Sequence, residues 1–226
     1  MLNTGRGQRH GMMNMILVVQ QHNAREYEGL LNQMFRLRAR VFHDRLRWKV
    51  QVIDGMERDR YDREDPVYIL YTNEMQQRLI GSLRLLPTTG PTLVADYFAD
   101  TVPDSARLTA PSIWECTRFC VDEDYLGNGN REELIFASGI LFAALGEVAL
   151  ESGIQSILGN FDARMLRLYR RVGCEVEVLG STERYGPTVY LGGFPVSEAI
   201  LNNLLARLRI ARAPLAASRE QRPLAA

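Results

Sequence analysis

Strand and helix patterns that alternate along the chain, with a hairpin meander in the middle, predict an α/β (α+β) fold: a mixed sheet with helices on both faces. At 226 residues the chain can bury a sizeable core, so one unit is the default. Residues 1–14 and 213–226 are expected to be mobile tails, which leaves 15–212 as a single domain without internal repeat or linker.

"MILVVQ" (15–20) reads as a first strand, and "AREYEGLLNQMFRLRARVFHDRL" (24–46) as a long helix. A charged loop runs through Asp62. "VYILYTNE" and "RLIGSLRLLP" form a hairpin with a polar turn near Met75 to Gln77. "SIWECTRFCV" (112–121) is a further strand, and 131–152 is a largely apolar helix ended by Gly153. "IQSILGNF" is a strand and "DARMLRLYRRVG" a helix, with Asp162 as N-cap and Gly173 at its stop. "CEVEVLG" and "TVYLGGFPV" close the sheet before a last helix over 197–212.

Lys+Arg and Asp+Glu both number 27, so no global field points to nucleic acid or to a membrane surface. No run of 18 apolar residues and no signal-peptide core is seen, and the expected compartment is the cytoplasm. Cys116, Cys120 and Cys174 form no CxxC pair, and with three histidines a metal site has little support.

The informative residues are charges in apolar contexts. On the first helix Tyr27, Leu30, Leu31, Met34, Leu37, Val41 and Phe42 share one face, and Arg38 falls near its middle while Arg36 and Arg40 point away. A buried guanidinium needs a carboxylate or a ligand; a snorkelling or structurally paired arginine is the plain alternative. Arg84 is expected on a face with Ile80, Ser82 and Leu86, and Glu115 on one with Ile113, Thr117 and Phe119. A regular strand separates Glu115 from Arg118, whereas a bulge between them puts both on one side. Glu115 with Arg84 is readable as a plain buried ion pair. With Asp59 and Asp62 available, the surplus positive charge suits a substrate carboxylate, and the acids suit an amine.

Arg38, Phe42, Trp48, Asp59, Asp62, Arg84 in "GSLR", then Glu115 and Arg118 in "WECTRF", have the spacing of the eight recurring positions of the acyl-homoserine-lactone (LuxI-type autoinducer) synthases, a family that this sequence resembles over about residues 15 to 200. The resemblance implies a V-shaped sheet similar to that of the N-acetyltransferases. It also implies S-adenosylmethionine (SAM) as a substrate rather than a cofactor, an acyl thioester on acyl carrier protein as donor, and no metal. Amide formation is then followed by lactone closure with loss of methylthioadenosine, which makes a quorum-sensing signal. On this resemblance Glu115 is the general base with Arg84 and Arg118 beside it. Arg38, Phe42, Trp48, Asp59 and Asp62 form the SAM site, with Asp59 and Asp62 on its cationic side or fixing the arginines that contact the substrate, and Phe42 and Trp48 packing beside the adenosyl part and closing over it. A cap or turn role for Asp62 and a core role for Trp48 stay open.

For the donor, Leu141, Phe142 and Gly159 are candidates for an acyl pocket, with core packing as the alternative. Members preferring 3-oxo chains often carry Thr where this chain has Gly159, which favours an unsubstituted or 3-hydroxy chain. Arg164, Arg167 and Arg171 form a basic row suited to docking acidic carrier protein, or simply a solvated face. The rival reading is an acetyl-CoA N-acetyltransferase: in "DYLGNGN" Gly127 and Gly129 fit a pyrophosphate loop, but Asp124 stands where Arg or Gln is wanted. A non-catalytic SAM or lactone sensor is the third class, and nothing resembles a DNA-reading helix-turn-helix.

Overall fold

In a computed structural model of the chain, the residues described are 15–73, 75–101, 108–127 and 129–210. The two expected tails therefore lie outside the described residues. A seven-stranded sheet runs in the order β1 (Met15–Val19), β4 (Val67–Thr72), β5 (Leu79–Pro87), β6 (Ile113–Val121), β7 (Ser156–Phe161), β9 (Val189–Pro195), β8 (Glu177–Thr182). Every neighbouring pair is antiparallel except β6–β7. The charged loop contains a small hairpin, β2 (Val52–Ile53) with β3 (Met56–Glu57), and a 3-10 turn over Arg60–Arg63.

The helix expected over 24–46 is one continuous right-handed stretch with three hydrogen-bond patterns: a 3-10 turn Ala24–Tyr27, α1 (Glu28–Arg38) and a π-helical Ala39–Arg45. Such wide turns are rare and recur at functional sites. Two short helices had no sequence signal, α2 (Leu93–Tyr97) and α3 (Glu123–Leu126). The long apolar α4 (Arg131–Glu151), α5 (Ala163–Val172) and α6 (Glu198–Leu208) fall where the pattern places them. Asp162 caps α5 by accepting from the Arg164 and Met165 N–H groups, and Gly173 closes it at φ 96°, a left-handed conformation natural to glycine.

The two sheet faces are covered differently. On one face Leu17, Val19, Tyr68, Leu70, Leu79 and Cys120 pack under α1. On the other, Val18, Ile69, Tyr71, Leu83, Leu85 and Trp114 pack under α4 through Ala137, Leu141, Ala144 and Val148. The far side of α4 offers Phe142 and Ala143 to α5 and α6. By length and composition α4 matches a membrane span, but a helix apolar all round and enclosed by sheet and helices is a core helix.

Three irregularities shape the α1 face. In β5 the register slips so that Tyr71 and Thr72 pair with Gly81 and Leu79. The extra residue, Ile80, turns to the α4 side, so it does not share a face with Arg84 as expected. In β6 the register slips between Ser82 and Arg84, which pair with Cys120 and Thr117. Arg118 sits there at φ 55°. The third is a split: β6 and β7 pair only from Ile113 to Glu115 against Ser156 to Leu158. Beyond that point β6 continues against β5, and β7 against β9, so the sheet opens into a V.

Candidate active site

The β6 bulge decides which charges meet. Trp114, Cys116, Phe119 and Val121 pack on the α4 side, and Cys120 on the α1 side. Thr117 accepts from Arg84, and Arg118 reaches Glu57 and Asp59, so both lie on the α1 side with Glu115. One extra residue therefore places Arg118 and Glu115 on a common face.

Arg38 is fully buried and bonds Glu57 through Nε at 2.5 Å and Asp62 through both terminal nitrogens at 2.8 and 3.0 Å. Arg84, also fully buried, grips Asp59 with two bonds, at 2.5 and 2.9 Å, and reaches Asp62 at 2.8 Å. Arg118 bonds Glu57 at 3.0 Å and Asp59 at 2.8 Å, and its guanidinium lies 5.2 Å from the Phe42 ring. The Tyr68 hydroxyl donates to Asp62 at 2.7 Å. Bidentate arginine–carboxylate pairs of this kind fix geometry as well as charge.

Asp59 and Asp62 also cap the 3-10 turn: Asp59 accepts from the Tyr61 N–H, and Asp62 from the Asp59 N–H. The cap role considered for Asp62 and its membership of the cluster are thus one structure. Burial alone would raise the Asp62 carboxyl, but hydrogen bonds and charge from Arg38, with Arg84 behind, hold it well below the usual carboxylate range.

Glu57 was missed. It is fully buried and bridges Arg38 to Arg118, so the three guanidiniums already face three carboxylates, Glu57, Asp59 and Asp62. The expected surplus of positive charge is therefore corrected: this group is balanced, and Glu115 adds a fourth acid. Glu57 was legible only as one charge in the charged run "GMERDRYD". Its burial comes from the β2–β3 hairpin, which no periodicity announces.

Glu115 stands apart from the interlocked set. It is fully buried, and its two oxygens accept from the Leu93 and Val94 N–H groups, each at 2.9 Å. Burial pushes its carboxyl up to about 7, against the opposing pull of those two N–H groups and of the Arg84 and Arg118 charges. A carboxyl near neutrality can take or hold a proton at working pH. Each oxygen keeps a second lone pair beyond the backbone bond.

Trp48 is about half exposed (49%) and stacks on buried Phe42 with ring centroids 5.0 Å apart. On the other face Leu141 is wholly buried beneath Gly81, and Phe142 stacks on Phe119 at 4.8 Å beside Tyr169. Gly159 is buried where the strands part; a Cβ there would sit 3.4 Å from Phe194 and 3.7 Å from the Cys116 carbonyl. Arg164, Arg167 and Arg171 are exposed on α5. Among the described residues, no group of three or more His, Cys, Asp and Glu is placed to hold a metal. The cleft at the start of α4 is lined by Glu123, Leu126, Gly127, Gly129, Asn130, Arg131 and Leu134.

The sequence model described as autoinducer synthase matches residues 21–204, which include every residue of the charge cluster. The chain belongs to the autoinducer synthase family. An acyl-homoserine-lactone synthase of Rhizobium etli is 39% identical over 178 residues, covering 78% of this chain and 82% of the relative. One of Agrobacterium fabrum is 35% identical, covering 79% and 84%. Among solved structures, the CoA-dependent acyl-homoserine lactone synthase BjaI, with SAM and isopentyl-CoA, superposes with TM-score 0.73 at 28% identity, over 87% of this chain and 90% of that one. A putative N-acetyltransferase from Lactobacillus plantarum shares the fold alone, at TM-score 0.53 and 17% identity, over 81% of this chain and all of that one. Acyl-homoserine-lactone synthase activity, a transferase reaction, is thereby supported for this autoinducer synthase.

Proposed function

We propose that this autoinducer synthase joins an acyl thioester to the amine of SAM on the α1 face of the sheet, with Glu115 as general base. One observation carries the reading: a buried carboxyl held near neutrality stands beside a balanced arginine–acid cluster where β6 and β7 part. Glu115 takes a proton from the amine, directly or through one water. The amine attacks the thioester carbonyl, the C–N bond forms, and collapse of the tetrahedral intermediate breaks the C–S bond. The thiolate leaves and is protonated, and backbone N–H groups of the β6 bulge suit the transient oxyanion. The methionine carboxylate then attacks its own γ-carbon, breaking the sulfonium C–S bond. Methylthioadenosine departs as a neutral thioether, with no further proton transfer.

The balanced cluster ties α1, β5 and β6 to the segment that carries Glu57, Asp59 and Asp62. Its role on this reading is to hold that wall, with Phe42 and Trp48 beside the adenosyl group, rather than to offer free charges. An acyl chain enters the split near Gly159 and Phe142, on the α4 side. Both substrates are met in the cytoplasm, where the enzyme is placed on this reading.

For the donor we favour acyl carrier protein. The exposed arginines of α5 suit an acidic carrier, and the acids Glu123, Asp124, Glu132 and Glu133 around the start of α4 oppose a pyrophosphate there. An acyl-CoA donor is the second reading, favoured by the CoA dependence of BjaI and of MesI. Incubation with SAM and matched acyl-carrier-protein and acyl-CoA panels, read by mass spectrometry for lactone, separates the two. The double reversal R164E/R167E should raise KM for carrier protein about tenfold or more and leave KM for SAM within about twofold. Equal effects on both substrates would remove α5 as the docking face.

A further inference from the structure

The segment from Thr92 to Thr101 crosses the α1 face of the sheet from β6 to β8. At β6 it is held by the Glu115 carboxylate. At β8 the Thr182 hydroxyl bonds the Asp100 carboxylate at 3.0 Å, and just beyond that strand the Tyr185 hydroxyl donates to the Tyr97 carbonyl at 2.9 Å. Beneath it Val94 packs on Leu158 of β7 and Leu191 of β9. Leu191 is the cross-strand partner of Asn160, and Leu158 lies two residues before it on an unbroken ladder. Cross-strand partners and alternate residues share a face, so Asn160 points to the Glu115 side. It lies just past Leu158, the partner of Glu115 and the last residue before the split.

The Asn160 amide is anomalous there. Both its nitrogen and its oxygen are shut off from water, and neither has a hydrogen-bond partner in the protein. A buried amide with neither bond made is costly, and Leu, with the same branching at Cγ, would avoid that cost. The groups that sequence reasoning offered to a zwitterionic substrate are meanwhile occupied, since the three arginines and Glu57, Asp59 and Asp62 satisfy one another.

We infer that Asn160 binds the amino-acid head group of SAM, its Oδ1 accepting from the α-amine and its Nδ2 donating to the carboxylate. The inference rests on the proposed acceptor site and names a residue within it. A side-chain amide presents one donor and one acceptor side by side, which matches an amine and a carboxylate on a single carbon. Strand geometry puts the Cα atoms of Asn160 and Glu115 at least roughly 8 Å apart where the strands begin to part, a span that one head group bridges with its amine toward Glu115. The head group enters through the split or when the 92–101 segment lifts.

The near-isosteric N160L tests this. Its KM for SAM should rise about tenfold or more, the loss of a hydrogen bond to a charged group, with KM for the acyl donor within about twofold and Tm unchanged or higher. Decarboxylated SAM supplies a readout that a structural role would not move. Wild type should bind it more weakly than SAM in a calorimetric titration, and N160L should narrow that gap. N160D keeps the acceptor but sets a charge against the carboxylate, and should bind SAM less well than wild type. An N160L that changes only Tm, as burial of a water would give, overturns the inference, and so does one that reorders acyl chains while KM for SAM holds. Wild-type protein that makes no lactone from any donor refutes the proposed function instead.

Discussion

Replacing Glu57 by Gln removes one negative charge from a site with no exposed surface and leaves every atom of similar size in place. Glu57 accepts from Arg38 Nε at 2.5 Å and from Arg118 Nε and one terminal nitrogen at 3.0 to 3.3 Å. The carboxylate is shared by two guanidiniums that are themselves nearly fully buried. In E57Q three guanidiniums face two carboxylates, and the new NH2 group points a donor at a donor. Breaking a buried pair on one side costs about 3–5 kcal/mol, a large share of the roughly 5–15 kcal/mol that holds a domain together. The midpoint in urea should fall with unchanged slope, and calorimetry should show Tm lower by at least about 6 °C. Changing Arg118 to Met as well should recover part of the loss, because the charge count is then two against two. A loss below about 1 kcal/mol, or strict additivity in the double variant, would refute the claim that the cluster is one interlocked unit.

Two further outcomes follow from the same geometry. Because the folded-state carboxyl of Glu115 lies at about 7, above its ordinary value, stability from this group is present below the ordinary range and is lost as pH rises through about 7. The base needs the ionised form, so kcat/KM should rise through that same window; E115Q should flatten both profiles and cut amide formation by about a hundredfold or more, and a near wild-type rate would exclude Glu115 as base. Trp48 is half exposed and stacks on Phe42, so W48A should cost only about 0.5–1.5 kcal/mol in denaturation while raising KM for SAM; a stability loss without a KM change would make it a structural cover.

Element type was legible wherever one face is buried throughout. The apolar stripe of α5, the all-round apolarity of α4 and the β4–β5 hairpin come from local periodicity, and the structure places them within a few residues of expectation. The anomalous charges were legible for the same reason: Arg38 interrupts a helical stripe, and Arg84 and Glu115 interrupt strands, so each demanded a partner. The partners themselves were not legible. Glu57 sits in a two-residue strand whose burial depends on α1 and β6 closing over it, and α2 is five residues long, capped by Thr92 and by the Glu115 side chain from another element.

The sequence by itself determined which residue types sit where charge is expensive, and the spacing that marks the family. Only the tertiary structure decided how those charges pair, because pairing depends on the one-residue slip at Arg118, and a slip of one residue moves a side chain to the other face of a sheet. Periodicity is a property of neighbours along the chain, whereas register is set between strands, and this is why the arginine–acid balance and the unpartnered amide of Asn160 emerged only in three dimensions.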